Sequence, residues 1–417
     1  MIRLAWKNLR FRPLGSWLSI LLVAFGTGII SLLFLLERQL DQKFSRDMEG
    51  IDLVVGAKGS ALQLVLSAVY HLDAPPGNIP ADRIERLMRH PMIKTAIPLA
   101  YGDTYEGARI LGTTQEYLTK YGAEFRAGET FNEPLEAVLG ARVAATTGLK
   151  PGGTFIGAHG VVVDSSHANN PYRVVGILEP AGNVLDDLVL TDVSSVWKIH
   201  EDHDHSDLED AHGHENHSDH DHDEGEHDHG EAAHDHDAER EYTAVLLEFS
   251  GSRGVVTLQP LINGTPDMLA ASPSYEMSRL FSNLGVGLDT LRLVAYGIVF
   301  LSAFSIFFAL YSRLRERRHE LALLRALGYR PVQLFGLLLT EGVLLTAIGA
   351  LLGLLLSRLA IHLLNAGAAA DFKLRFDYGL IPAEGWLLLG MLTVGLVSAL
   401  LPALRAMRTD VARELSR

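Results

Sequence analysis

The chain has no cysteine among its 417 residues, which excludes disulfides, thiolate metal sites and a thiol nucleophile. It also lacks a Gly-x-x-x-x-Gly-Lys-Ser/Thr loop, so these residues offer no ordinary cradle for ATP phosphates. Gly56-Ala-Lys-Gly-Ser60 is a superficial likeness with the wrong spacing. With no His-Glu-x-x-His pair and no Gly-x-Ser-x-Gly elbow, enzyme activity within the chain is not expected. Charge is missing over four long stretches, and that absence says most about the class of protein.

A bilayer core of roughly 30 Å takes about 20 mostly apolar residues in a helix. Pro13–Leu36 gives 24 uncharged residues, Val294–Tyr311 gives 18, Gln333–Ser357 gives 25 with only Glu341 charged, and Gly385–Leu404 gives 20. Buried helices of a soluble protein would not need such lengths. A signal peptide would explain Arg3, Lys7, Arg10 and Arg12 ahead of the first run. That run exceeds the roughly 7–15 residues of a signal core, so it reads as a retained span.

Cations flanking the spans set the orientation. Residues 1–12 hold four basic and no acidic groups, and the link between the second and third spans holds Arg313, Arg315, Arg317, Arg318, Arg325 and Arg330 against Glu316 and Glu320. Arg405, Arg408, Arg413 and Arg417 follow the fourth span. The expected topology has a cytoplasmic lead-in (1–12), spans at 13–36, 291–311, 333–360 and 385–404, a cytoplasmic link at 312–332 and a cytoplasmic tail at 405–417. Residues 37–290 and 361–384 then lie outside the membrane.

Residues 37–290 suit a compact α+β domain. Ile51–Val55, Val161–Val163, Tyr172–Leu178 and Ala244–Phe249 read as strands, and Pro80–His90 and Ala141–Thr147 as helices, the latter stopped by Gly148 before a Pro151-Gly152-Gly153 turn. Leu280, Leu284, Leu288 and Leu291 keep helical spacing through Leu269–Leu293, although Gly285 and Gly287 weaken that helix. Glu37–Met48 likewise reads as a helical extension of the first span, so two stalks would join the domain to the bundle.

Within that domain, residues 200–237 hold 12 His and 16 Asp or Glu but no Lys or Arg. Outside this tract 36 basic groups meet 34 acidic ones, so the net charge of −14 is local and implies no nucleic-acid partner. The tract has too few apolar residues to bury a core, and the expectation over 200–241 is a disordered insertion. His203, His205, His212, His214, His217, His220, His222, His227, His229, His234 and His236 are the candidate ligands for Zn²⁺, or for Cu²⁺ or Ni²⁺. A solvated acidic linker is the plainer reading of the same composition. Within the four apolar runs only Glu341 is ionisable, with Arg358 and His362 just past the end of the third, which disfavours a pore for free ions.

The cytoplasmic link has an apolar face at Leu321, Leu324 and Leu327, with Glu316 and Glu320 four apart and Gly328 as the stop. Such a helix could lie on the membrane surface or fit a groove in a partner. Glu316-Arg-Arg-His-Glu-Leu-Ala-Leu-Leu-Arg-Ala-Leu-Gly328 and Leu337-Leu-Leu-Thr-Glu-Gly342 resemble the C-terminal permease domain of the MacB/FtsX/LolC-type ABC transporters. Pro402-Ala-Leu-Arg-Ala-Met-Arg-Thr-Asp-Val-Ala-Arg-Glu-Leu415 resembles that family's ending, with Val411 where proline is common. Ala5-Trp-Lys-Asn-Leu-Arg10 resembles its lead-in helix. Val138-Leu-Gly-Ala-Arg-Val-Ala-Ala145, Gly148-Leu-Lys-Pro-Gly152 and Val174-Val-Gly-Ile-Leu-Glu-Pro180 resemble its periplasmic core domain.

The resemblance implies a multi-pass protein of the bacterial inner membrane, working as a homo- or heterodimer of permeases with a separate ATPase that binds the ATP. It implies a coupling role for Glu316, Glu320, Leu324, Arg325 and Gly328, and mechanical work on a substrate or partner outside the membrane. Glu341 is then expected to be a helix-interface carboxyl, and Gly349-Ala-Leu-Leu-Gly353 a site of close helix approach within the bundle or at the dimer seam. Two alternatives stay open: a component of zinc or other metal acquisition that receives a periplasmic metal-binding protein, and a regulatory scaffold controlling a periplasmic hydrolase.

Overall fold

The computed structural model describes residues 13–158, 170–199, 240–316, 330–366 and 376–407. The chain divides into two compact units, one of Lys43–Leu280 and one of Met1–Gln42 with Phe281–Arg417. Helix α1 (Pro13–Met48) and helix α8 (Pro273–Glu316) each contribute residues to both units.

The Lys43–Leu280 unit is α+β. Its elements in chain order are β1 (Leu53–Ala57), α2 (Ala61–Ala68), β2 (Ile79–Pro80), α3 (Ala81–Met88), β3 (Ile93–Tyr105), β4 (Ala108–Thr113), α4 (Gln115–Lys120), β5 (Phe125–Gly128), β6 (Glu136–Leu139) and α5 (Ala141–Thr147). After β7 (Thr154–Phe155) and β8 (Tyr172–Leu178) come a 3₁₀ turn at Val184–Asp187, β9 (Leu188–Asp192), a helix α6 at 193–199, β10 (Glu241–Tyr242), β11 (Ala244–Phe249), α7 (Arg253–Asn263) and β12 (Met268–Ala271). One mixed sheet runs in the order β12-β1-β11-β3-β4-β9-β6-β8-β5, with β7 on β8.

Local chemistry accounts for these elements. In β8, Tyr172, Val174, Gly176 and Leu178 are buried while Arg173 is exposed, the two-residue period of a strand with one face on a core. The β3–β4 hairpin turns through Glu106 and Gly107, both with positive φ (45° and 80°), the turn hand that matches strand twist. Gly148 ends α5 in the left-handed conformation (φ 70°), as its position after the helix requires. Leu53, Val55, Val245 and Leu247 pack under Ile84 of α3 and Leu258 and Ile262 of α7. Ala137, Leu139, Val174 and Val189 form a second core with Val143 of α5.

Two sequence expectations change here. The strand near residue 51 starts at Leu53, because Asp52 turns its carboxylate to the Phe249 N–H (2.8 Å). Leu269–Ala271 is not helix: Val54 to Ala57 pair with these residues and Met268, so the two ends of the unit are adjacent antiparallel strands. The α8 helix then starts at Pro273 and runs unbroken through Gly285 and Gly287. Val161–Val163 and 200–239 lie outside the described residues.

Among the described residues four helices are long and apolar enough to cross a membrane: α1, α8, α9 (Pro331–Ala366) and α10 (Pro382–Met407). Their inner faces meet at Ile20, Val23, Ile306, Leu310, Leu334, Leu345, Met391 and Ala399. Gly349 and Gly353 bring α9 close against α1. A Cβ on Gly349 would stand 2.6 Å from Val23 Cβ, and one on Gly353 would stand 2.6 Å from Ala24 O. The small-residue motif is therefore spent within the bundle, on α1.

Candidate functional site

In the membrane unit, a buried polar cluster joins three helices. Glu384 is 2% exposed. It accepts a hydrogen bond from Ser31 Oγ of α1 (2.5 Å) and an ion-paired one from Arg358 of α9 (2.6 Å). Ser31 Oγ also lies 2.9 Å from Ser357 Oγ of α9, whose hydroxyl donates to Leu354 O one turn earlier (2.8 Å). The second oxygen of Glu384 also receives the Ile381 N–H at 3.1 Å. Pro382 opens the helix and Glu384 stands third in it, so this carboxylate satisfies an orphan amide of its own helix start while binding two neighbours.

Further ties hold the same ends of these helices. Gln39 of α1 clamps the backbone of Asp377, donating to its O (2.9 Å) and accepting from its N–H (2.5 Å). Asn365 of α9 does the same for Phe376, at 2.9 Å in both directions. Arg292 of α8 pairs with Glu37 of α1 and with Asp289 (2.9 Å).

In the Lys43–Leu280 unit, the last turns of α1 end in carbonyls that the helix cannot satisfy itself. Tyr70 OH donates to Phe44 O (3.2 Å), Tyr121 OH to Asp47 O (2.9 Å), and Lys120 Nζ to Glu49 O. Behind them His71 sits between two phenols, Nδ1 2.6 Å from Tyr101 and Nε2 2.8 Å from Tyr117. Tyr101 OH also donates to Ser67 O. His71 has φ 54°, a conformation that L residues adopt at a cost and that this network holds in place. Beside the helix end is an open cavity of about 500 Å³, floored by Ile97 and Leu246 and walled by Glu49, Glu116, Lys120 and Glu248.

The residues singled out from sequence are distributed differently. All eleven candidate histidine ligands fall in 200–239, and Glu320, Leu324, Arg325 and Gly328 in 317–329, both outside the described residues. Among the described residues no group of three or more His, Cys, Asp or Glu could hold a metal ion. Glu316 is exposed at the end of α8 and accepts from Ser312 Oγ one turn earlier (3.2 Å). Glu341 is 2% exposed on α9, a buried helix-interface position. Sequence reasoning missed Glu384 because the uncharged run starts one residue later. The Pro382-Ala-Glu384 pattern of a helix start was the available signal.

Comparison with known proteins covers both units. Residues 16–211 match the profile of the MacB-like periplasmic core domain, and residues 292–411 match that of the FtsX-like permease C-terminal domain. A macrolide export ATP-binding/permease protein MacB of Nitrobacter winogradskyi is 35% identical over 102 residues, which are 24% of this chain and 15% of the relative. The chain thus aligns with only a small part of that curated relative's length. The periplasmic region of MacB from Actinobacillus actinomycetemcomitans aligns with 57% of this chain and 98% of its own at 14% identity, TM-score 0.34. The extracellular domain of YknZ, a noncanonic ABC-type transporter from Gram-positive bacteria, aligns with 53% of this chain and 99% of its own at 12% identity, TM-score 0.29. Two adjoining profiles in this order, on a chain with four apolar helices and an α+β unit between the first and second, place the protein in the family of MacB/FtsX-type ABC transporter permeases.

Proposed function

We propose that this chain couples ATP turnover on a separate ATPase subunit to a change of shape in its outer unit, without conducting cargo along a channel of its own. The supporting observation is the pairing of β1 with β12. These strands directly follow α1 and directly precede α8, the helices that contribute residues to both units. A relative shift of α1 and α8 would therefore load one antiparallel strand pair at the sheet edge. The polar cluster at Glu384 and the Gly349/Gly353 contact would make α1, α9 and α10 move together.

On this reading the termini and the 312–332 link lie on the cytoplasmic side, where the link meets the ATPase, and the permease works as a dimer. Glu320, Leu324 and Arg325 would face that partner. The histidine-rich tract would add capture of divalent metal on the opposite side. The test uses the complex purified with its ATPase in nanodiscs. Spin labels placed at Val256→Cys in each permease copy report the distance between outer units with and without ATP. A nucleotide-dependent change supports the reading. Steady ATP turnover with an unchanged distance distribution overturns it.

A further inference from the structure

Asp47 lies in the last turn of α1 and is sealed inside the outer unit. The residue is 1% exposed, and neither carboxylate oxygen meets a hydrogen-bond donor of normal geometry. Buried carboxylates ordinarily hold donors, because an unmet charge in a low-dielectric interior is unfavourable. Its position adds a second penalty, since the C-terminal end of a helix is the negative end of its dipole.

The groups facing it do not remove the conflict. Lys43 and Arg46 on α1 and the Val184 N–H favour the ionised form, while burial and Asp186 oppose it. Burial dominates, and the carboxyl is pushed up to about 6. Lys43 is itself held below its ordinary value by burial. Asp186 already accepts from the Ala181 and Gly182 N–H groups (2.9 and 2.8 Å), and Asp187 pairs with Arg142 of α5 (3.1 Å). Tyr70, Tyr117 and Tyr121 close the remaining sides, and burial pushes all three phenols up, so they stay neutral. Lys120 of α4 feels the Asp47 charge from further off, and burial holds its own ammonium below its ordinary value.

We propose that Asp47 is a proton-operated latch: in its neutral form it lets the last turn of α1 seat in the outer unit, and on ionisation it loosens residues 43–50. The hydrogen bonds released would be those from Tyr70, Tyr121 and Lys120 to the helix-end carbonyls. The latch belongs wholly to residues 43–280 and holds whether or not the coupling function does. Its sign is fixed by linkage. The seated state binds the proton more tightly than a loosened one, in which the aspartate returns towards 3.8, so seating is strongest in acid. It weakens as pH rises from about 3.8 to about 6 and stays weak above that.

Hydrogen exchange on the full chain in nanodiscs tests this, read at the amides of residues 43–50 and corrected for the intrinsic pH dependence of exchange. Protection there should be about tenfold greater at pH 5.0 than at pH 7.5. In Asp47→Asn protection should stay high at both values. Equal protection of the native chain at the two pH values overturns the proposal, and so does a pH response that survives in the variant. Exchange in β11 shows whether the variant is folded. If it is not, Asp47→Ser removes the same titration and carries the same test.

Discussion

Arg358 and Glu384 stand 2.6 Å apart, 17% and 2% exposed in their side chains, and tie α9 to α10 in a unit whose other contacts are mostly aliphatic. A pair so removed from water contributes little net stability compared with apolar residues of the same size, but breaking it leaves one charge stranded. Arg358→Ala and Glu384→Ala are each expected to lower stability by about 3 kcal/mol. The double variant Arg358→Met/Glu384→Met should recover a large part of that loss, because no orphan charge is left. Thermal unfolding in detergent, arranged as a double-mutant cycle, measures this. Additive losses would mean that the two residues do not form a coupled pair.

The glycines of the membrane unit separate into contact and non-contact positions, and alanine substitution should distinguish them. At Gly353 an added Cβ meets backbone, Ala24 O at 2.6 Å and Gly28 N at 2.9 Å, so α1 and α9 must part. At Gly285 nothing lies within 4 Å, and a helical glycine replaced by alanine gains up to about 1 kcal/mol in helix propensity. Gly353→Ala is expected to lower the unfolding temperature and Gly285→Ala to leave it unchanged or raise it. The reverse order would show that the α1–α9 contact is not tightly packed.

The histidine tract gives a prediction that rests on composition alone. Deletion of residues 200–237 removes 12 of the 18 histidines. Calorimetry should then show most Zn²⁺ binding lost, with the unfolding transition unchanged. In the native chain, uptake should weaken below about pH 6, where imidazoles protonate. Undiminished zinc binding after the deletion would remove the metal role of the tract.

How far these features could be read in advance depends on whether the signal was local. Uncharged runs located the four long helices, and short runs rich in Val, Ile and Leu located β8 and β11 at their observed limits. Gly148 marked a helix end because left-handed backbone favours glycine. Ten sheet strands in a mixed order were not legible, because pairings such as Arg109 with Leu188 join distant segments with no local mark. Leu269–Ala271 reads with the helical segment that follows it, although the leucine spacing begins only at Leu280 and β1 supplies its partner. Asp47 and His71 were invisible as sites, since an aspartate late in a helix and a lone histidine look ordinary until tertiary burial isolates them.

Orientation is the last expectation to test, and the missing cysteines make the test clean, since every thiol will be an introduced one. Glu316 is exposed at the end of α8, and Val256 is 76% exposed on α7. Single variants Glu316→Cys and Val256→Cys change no buried contact and should fold normally. The arginines around the 312–332 link predict that this segment stays on the side of ATP synthesis and use, because cationic loops resist transfer across the membrane. An impermeant maleimide applied to intact cells whose outer membrane has been opened should therefore label Val256→Cys and spare Glu316→Cys until the inner membrane is lysed. Labelling of both before lysis would put the link and the α+β unit on one side. The link could not then meet an ATPase while the outer unit worked across the bilayer, and the coupling scheme would fail with it.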